Sequence, residues 1–135
     1  MIKKKILVLG STGLIGHQIH NFLKKTEKYR LFNFSYRNKL CQDSFLVDAR
    51  DESKFFTKIN EIQPDVIINA IGILISGANK DPENAIFLNA YLPHRLRMFA
   101  DSNNAKLIHI STDCVFSGSK IKPYIESDEK DSKDI

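Results

Sequence analysis

Gly10, Gly13 and Gly16 follow directly on the apolar run Ile6-Leu7-Val8-Leu9 and open a stretch that can grip a phosphate. The chemistry is that of backbone amides. An apolar run that stops in a glycine-rich turn and resumes as a helix is how a dinucleotide-binding unit begins. Gly10 permits the tight turn, Gly13 lets the backbone approach a pyrophosphate with no Cβ in the way, and Gly16 lets the helix pack close to the strand. The amides from Gly13 through Leu14 to Ile15 have no acceptor inside the helix and point at an anion. The spacing is Gly-x-x-Gly-x-x-Gly, one residue longer in its first gap than the general fingerprint, and a glycine-rich turn without a ligand is the competing reading. A Walker-type loop would need Gly-Lys-Ser/Thr where Ile15, Gly16 and His17 stand.

Positioning those amides takes a sheet, and the chain alternates strand and helix patterns throughout. The first helix starts near Gly13 and is expected to bury Ile15, Ile19, Phe22 and Leu23. Leu31 to Tyr36 reads as a second strand ending at Arg37, and Phe45 to Val47 as a short third closed by Asp48. Asp51 or Ser53 caps a helix carrying Phe55, Ile59 and Ile62 on one face until Pro64 stops it. Asp65 to Ala70 is the fourth strand. Asp81-Pro82-Glu83 starts a helix with a capping acid and a proline at the first position, and Ala85, Leu88, Leu92, Leu96 and Phe99 form its buried stripe. Lys106 to Ile110 makes the fifth strand, and residues 117–135 read as a charged loop. Five strands with crossover helices imply an α/β doubly wound parallel sheet of the Rossmann type. Ligands of such sheets sit at the carboxyl ends of the strands. Gly10 to Ile15, Arg37, Asp48, Asn69 to Gly72 and Ser111 to Cys114 all fall there.

Arg37, with Lys39 behind it, stands where a fold selecting NAD often places an acid, and a cation there invites a 2′-phosphate; an ordinary exposed arginine is the alternative. Asp48 either accepts from an adenine amino group or caps the helix that follows. Pro93 lies inside the helix begun at Pro82, where it cannot donate to the carbonyl of Asn89, and so predicts a kink or two abutting helices.

The fifth strand runs into Ile110-Ser111-Thr112-Asp113-Cys114-Val115-Phe116-Ser117-Gly118. With the glycine pattern, Asn69-Ala70, Asn89-Ala90 and Pro123-Tyr124-x-Glu126-x-Asp128, this stretch resembles the dTDP-4-dehydrorhamnose reductase family, a branch of the extended short-chain dehydrogenases/reductases that acts on nucleotide sugars. The resemblance covers essentially all of this chain and only the amino-terminal part of a family member, so the domain is expected to be a truncated Rossmann unit without the substrate-binding lobe. It implies NADP(H), with NAD(H) also possible, as cofactor. It implies a cofactor site of Gly10, Ser11, Thr12, Gly13, Leu14, Ile15, Gly16, Arg37, Asp48, Ala49, Ala70, Ile71 and Gly72. It implies a catalytic hydroxyl on Thr112, with Asp113 and Cys114 near the sugar; Cys114 replaces the family's tyrosine. In the wider superfamily an asparagine at the place of Asn89 helps hold an active-site water, a role expected of Asn89 here.

Hydride transfer to a ketone builds negative charge on its oxygen, which calls for a hydroxyl donor and a proton-donating phenol. The phenol of the family sits in a Tyr-x-x-x-Lys helix. Four residues after Tyr29, Tyr36, Tyr91 and Tyr124 stand Asn33, Leu40, Arg95 and Asp128, so none of the four tyrosines begins that motif. The expected function is the cofactor-binding part of an NADP(H)-dependent reductase of a nucleotide-linked 4-keto sugar, inactive alone. A non-catalytic dinucleotide-binding regulatory subunit and an NAD-dependent epimerase or dehydratase are the alternatives.

Composition bounds the rest. The 135 residues make at most one domain, and 42% apolar residues suffice for one core. The formal charge of +4 comes from 20 basic and 16 acidic side chains spread along the chain, which argues against a nucleic-acid surface. Lys3, Lys4 and Lys5 read as a solvated strand entrance. Cys41 and Cys114 have no metal spacing, so no metal site is expected and reduced thiols in a cytoplasmic protein are the default. The longest apolar run, Val66 to Ile75, is about half a membrane span. A homo-oligomer is possible.

Overall fold

A run of four apolar residues that must be buried on both sides belongs in the middle of a parallel sheet. In the computed structural model, which describes residues 2–132, that is where it lies, as β1 (Lys5–Leu9). The chain continues through α1 (Leu14–Thr26), β2 (Arg30–Ser35), β3 (Phe45–Leu46), α2 (Glu52–Ile62), β4 (Val66–Asn69), α3 (Ile75–Lys80) and α4 (Pro82–Ile86). A π-helical turn (Phe87–Tyr91), α5 (Leu92–Ser102), β5 (Lys106–His109) and a 3₁₀ turn (Asp113–Val115) follow. The sheet order is β3-β2-β1-β4-β5 and every pairing is parallel. The strand order reverses beside β1, so the chain leaves the sheet in opposite directions after β1 and β4. That divergence opens the crevice used by doubly wound folds.

The two faces are covered differently. Leu7, Leu9, Phe34 and Ile67 pack with Phe55, Ile59 and Ile62 of α2 and Leu92 and Leu96 of α5. Phe34 and Phe55 meet edge to face at 5.8 Å, a geometry that suits the ring quadrupoles. On the other face, Ile6, Val8 and Ile68 pack against Ile19 and Leu23 of α1. At the heart of that second face is a polar group: the Asn33 amide, fully buried, accepts from the Ser11 hydroxyl at 2.9 Å and lies 3.4 Å from His20 Nε2.

The caps are those their residue types demand. Asp51 accepts from the Lys54 amide at the start of α2, Asp81 accepts from the Asn84 amide at the start of α4, and α2 ends at a left-handed Gln63 just before Pro64. Three expectations are corrected. In α1, Ile15 and Phe22 are exposed, and the face that meets the sheet carries the buried Gly16 and His20 beside the half-buried Ile19 and Leu23, because Gly16, pressed against the turn, sets the rotation of the helix. A helix absent from the sequence reading, α3, forms between β4 and α4, its start unmarked by any side-chain cap. The strands after β1 each end one residue earlier than expected: β2 stops at Ser35, so Tyr36 and Arg37 lie in the loop beyond it. The expected break before Pro93 is present as the π-helical turn, with Pro93 in the first turn of α5, where its missing amide is harmless. The charged loop expected over 117–135 has no helix or strand through 132, and its last three residues lie outside the described residues.

Candidate functional site

The carboxyl ends of β1, β2, β3 and β4 frame an open groove of about 420 Å³. Its floor is the glycine turn. Gly10 has φ +75°, and a methyl group added there would meet the Ala70 carbonyl oxygen at 2.8 Å, so the loop after β4 closes directly on the loop after β1. At Gly16 an added Cβ would fall 2.1 Å from the Gly10 carbonyl oxygen, which makes that residue the contact between helix and turn. Gly13 stands at the head of α1 with no side-chain cap and no acid in the first turn. The Gly13 amide itself donates to the Gly10 carbonyl at 3.0 Å, so of the three amides read from sequence those of Leu14 and Ile15 are left to an external acceptor, and the helix dipole adds a favourable contribution of about 0.3–1 kcal/mol for an anion.

Of the residues read from sequence, the structure brings Gly10, Thr12, Gly13, Arg37, Asp48, Ala49, Ala70, Ile71 and Gly72 together around this groove. Ser11 sits beneath it, fully buried, its hydroxyl on Asn33 and its amide on the Phe34 carbonyl. Gly16 lies under the turn, and the side chains of Leu14 and Ile15 point into solvent, which leaves only their amides to serve the groove. Thr112, Asp113 and Cys114 are outside its walls. Asp113 and Cys114 line a shallower hollow with Phe116, Ser117, Gly118 and Tyr124. Phe116 and Tyr124 stack at 4.5 Å, and Ser117 ties the loop to Asp131. The Thr112 hydroxyl oxygen accepts from the Cys114 amide at 3.1 Å, which leaves its proton available to donate.

Several residues of the groove escaped the sequence reading, above all Tyr36 and Arg50. Arg50 donates through Nε and a terminal nitrogen to the Asp48 carboxylate at 2.9 and 2.7 Å, and its other contact is the Tyr36 hydroxyl. That fork holds the Asp48 carboxyl below its usual pKa and the Arg50 guanidinium above its own. The signal was the pair Asp48-x-Arg50, visible in sequence but read only for its acid. Asp48 therefore spends its carboxylate on Arg50 rather than capping α2, which Asp51 does.

Asn89 is also engaged. Its side-chain oxygen accepts from the Ile73 amide at 2.8 Å and its nitrogen donates to the Ile73 carbonyl at 2.9 Å, so the π-helical turn clamps the loop that walls the groove. At the base of that loop, Asn69 accepts from the Ile71 amide and lies 3.1 Å from His109, whose pKa burial lowers. Among the described residues there is no group of three metal-ligating side chains and no helix long and apolar enough to cross a membrane.

The family model of the RmlD substrate binding domain matches residues 4–134. The dTDP-4-dehydrorhamnose reductase of Escherichia coli K12 is 29% identical over 91% of this chain and 40% of its own length. A dTDP-4-dehydrorhamnose reductase from Bacillus anthracis, solved in complex with NADP, superposes with a TM-score of 0.80 at 26% identity over 96% of this chain and 43% of that one. A hypothetical dTDP-4-dehydrorhamnose reductase from Sulfolobus tokodaii gives 0.84 at 25% identity, covering 97% and 46%. The chain thus spans about 40% of the length of the curated relatives it matches. Sheet order, glycine turn and matched span agree, and the chain belongs to the RmlD substrate binding domain family.

Proposed function

We propose that this chain is the cofactor-binding part of an NADP(H)-dependent nucleotide-sugar reductase that transfers a hydride to a 4-keto sugar, as the names of its relatives suggest. The observation that carries this reading is the groove itself: an uncapped helix terminus at one end and two guanidiniums, Arg37 and Arg50, at the other. Bound there, NADPH would supply the hydride. The amides of Leu14 and Ile15 receive the pyrophosphate, with Gly10 and Thr12 shaping the turn and Gly13, its amide held by the Gly10 carbonyl, giving the anion room to approach, because backbone donors at a helix start satisfy an anion without a side-chain charge. Ala49 and Ile71 present apolar surface to the rings, Ala70 and Gly72 leave room along the β4 side, and Arg37 faces the 2′-phosphate. The Thr112 hydroxyl donates to the sugar carbonyl and stabilises the charge that develops on its oxygen, while Asp113 and Cys114 contact the sugar. Asn89 acts as a positioning residue, since its side chain is occupied by the Ile73 backbone that walls the groove.

Calorimetric titration of NADPH into the purified chain tests the reading. Saturable one-to-one binding that is lost in Gly13→Asp, which fills the approach and adds a negative charge, is the expected result. A wild type that binds no dinucleotide overturns it.

A further inference from the structure

Tyr36 is an exposed aromatic at the carboxyl end of β2, and two cations share its ring: the Arg50 guanidinium carbon lies 4.9 Å from the ring centroid and that of Arg37 lies 5.4 Å from it. Like charges gathered on one ring repel, and a single carboxylate, that of Asp48, is bound among them. The cluster keeps a net positive charge inside the groove. Arg50 is the fixed member. Its Nε and one terminal nitrogen are held by Asp48 and Tyr36, which leaves the two N–H groups of the remaining terminal nitrogen with no partner among the described residues. Arg37 has only the ring contact among the described residues, so its guanidinium is the less constrained of the two.

We propose that Arg50, held by Asp48 and Tyr36, is a specificity-determining residue for a phosphomonoester on the adenosine ribose, acting with Arg37 as a two-guanidinium clamp. The inference rests on the dinucleotide reading above. A phosphomonoester carries close to two negative charges at neutral pH and three acceptor oxygens, which one guanidinium cannot satisfy. A pre-oriented fork loses less freedom on binding than a flexible one, so Arg50 contributes more per hydrogen bond than Arg37 does. Asp48 and Tyr36 are positioning residues in this scheme: they aim the fork and do not themselves need to touch the phosphate.

The experiment is a calorimetric comparison of NADPH, NADH, 2′,5′-ADP and 5′-AMP on the wild type, Arg50→Met, Arg50→Lys and Tyr36→Phe. Arg50→Met keeps the apolar stem over Tyr36 and removes the fork; the ratio of NADPH to NADH affinity should fall about tenfold, the worth of one charged hydrogen bond. The 2′,5′-ADP to 5′-AMP ratio should fall in parallel. Arg50→Lys restores charge without the fork and should recover only part of the ratio, while Tyr36→Phe, which removes one of the contacts that aim the fork but keeps the ring and the Asp48 contacts, should lower the ratio by less than Arg50→Met does. NADH binding in each variant reports that the groove is still formed. An unchanged ratio in Arg50→Met, or equal weakening of all four ligands, would overturn the inference while leaving the dinucleotide reading in place. A wild type that binds none of the four would overturn both.

Discussion

The two faces of the sheet do different things. The face under α2 and α5 is a continuous apolar cluster from Phe34 to Leu96, while the face under α1 is a thin layer of Ile6, Val8 and Ile68 with the Ser11-Asn33-His20 group set in it. Among the described residues α1 is the only helix packed on that second cluster, and Ile108 on β5 remains 39% exposed there. Stability therefore resides chiefly on the α2/α5 face. The α1 face couples the sheet to the glycine turn through Ser11, at the expense of apolar burial.

The largest effect that would break this comparison is in the core. Phe55→Ala should cost about 3–5 kcal/mol, whereas Ile68→Ala should fall near the low end of its range, about 2 kcal/mol, since the thin α1 layer can close over the gap. Urea denaturation of both variants measures the difference, and equal losses would show that the faces share the load. Next in size is the groove between the faces. Arg37→Asp should lower NADPH affinity relative to NADH by roughly ten- to a hundredfold, or about 1.5–3 kcal/mol, with solvent exposure and salt favouring the smaller figure. Titration at two ionic strengths reads it; a variant that keeps the wild-type preference would make Arg37 an ordinary surface charge.

A smaller effect concerns the bare part of the α1 face. Among the described residues β5 pairs only with β4 and forms an edge of the sheet, so an apolar Ile108 beside that edge should promote association. Ile108→Lys should leave stability within about 0.5 kcal/mol and reduce the apparent mass by light scattering. A wild type that is monomeric at high concentration would count against it. The finest probe is His20, whose pKa is lowered chiefly by burial. A base with a depressed folded pKa is charged more readily when unfolded, so its contribution is intact above the unfolded value of about 6.5 and is lost as pH falls below it. His20→Gln should flatten the acid side of the stability curve between about pH 6.5 and the lower folded value. An unchanged curve would place the acid sensitivity elsewhere.

Sequence alone determined the five strands, the helices other than α3, the glycine turn and the cap at Asp81, and narrowed the cap of α2 to Asp51 or Ser53, because each depends on residues within one or two turns of chain. The parallel sheet also followed from local facts, since alternating strands and crossover helices have few ways to close. Tertiary structure decided the rest. The rotation of α1 that buries His20 and exposes Phe22 depends on the contact of Gly16 with the Gly10 carbonyl, which helical periodicity does not contain. That Asn89 clamps Ile73, sixteen positions away, depends on how α4 and the π-helical turn fold back over the loop after β4. Tyr36 and Arg50, fourteen positions apart, meet because β2 and β3 are paired in register and deliver their loops side by side. Periodicity and propensity act over neighbouring residues, whereas a site at the ends of parallel strands is assembled from loops that only the pairing of those strands brings together.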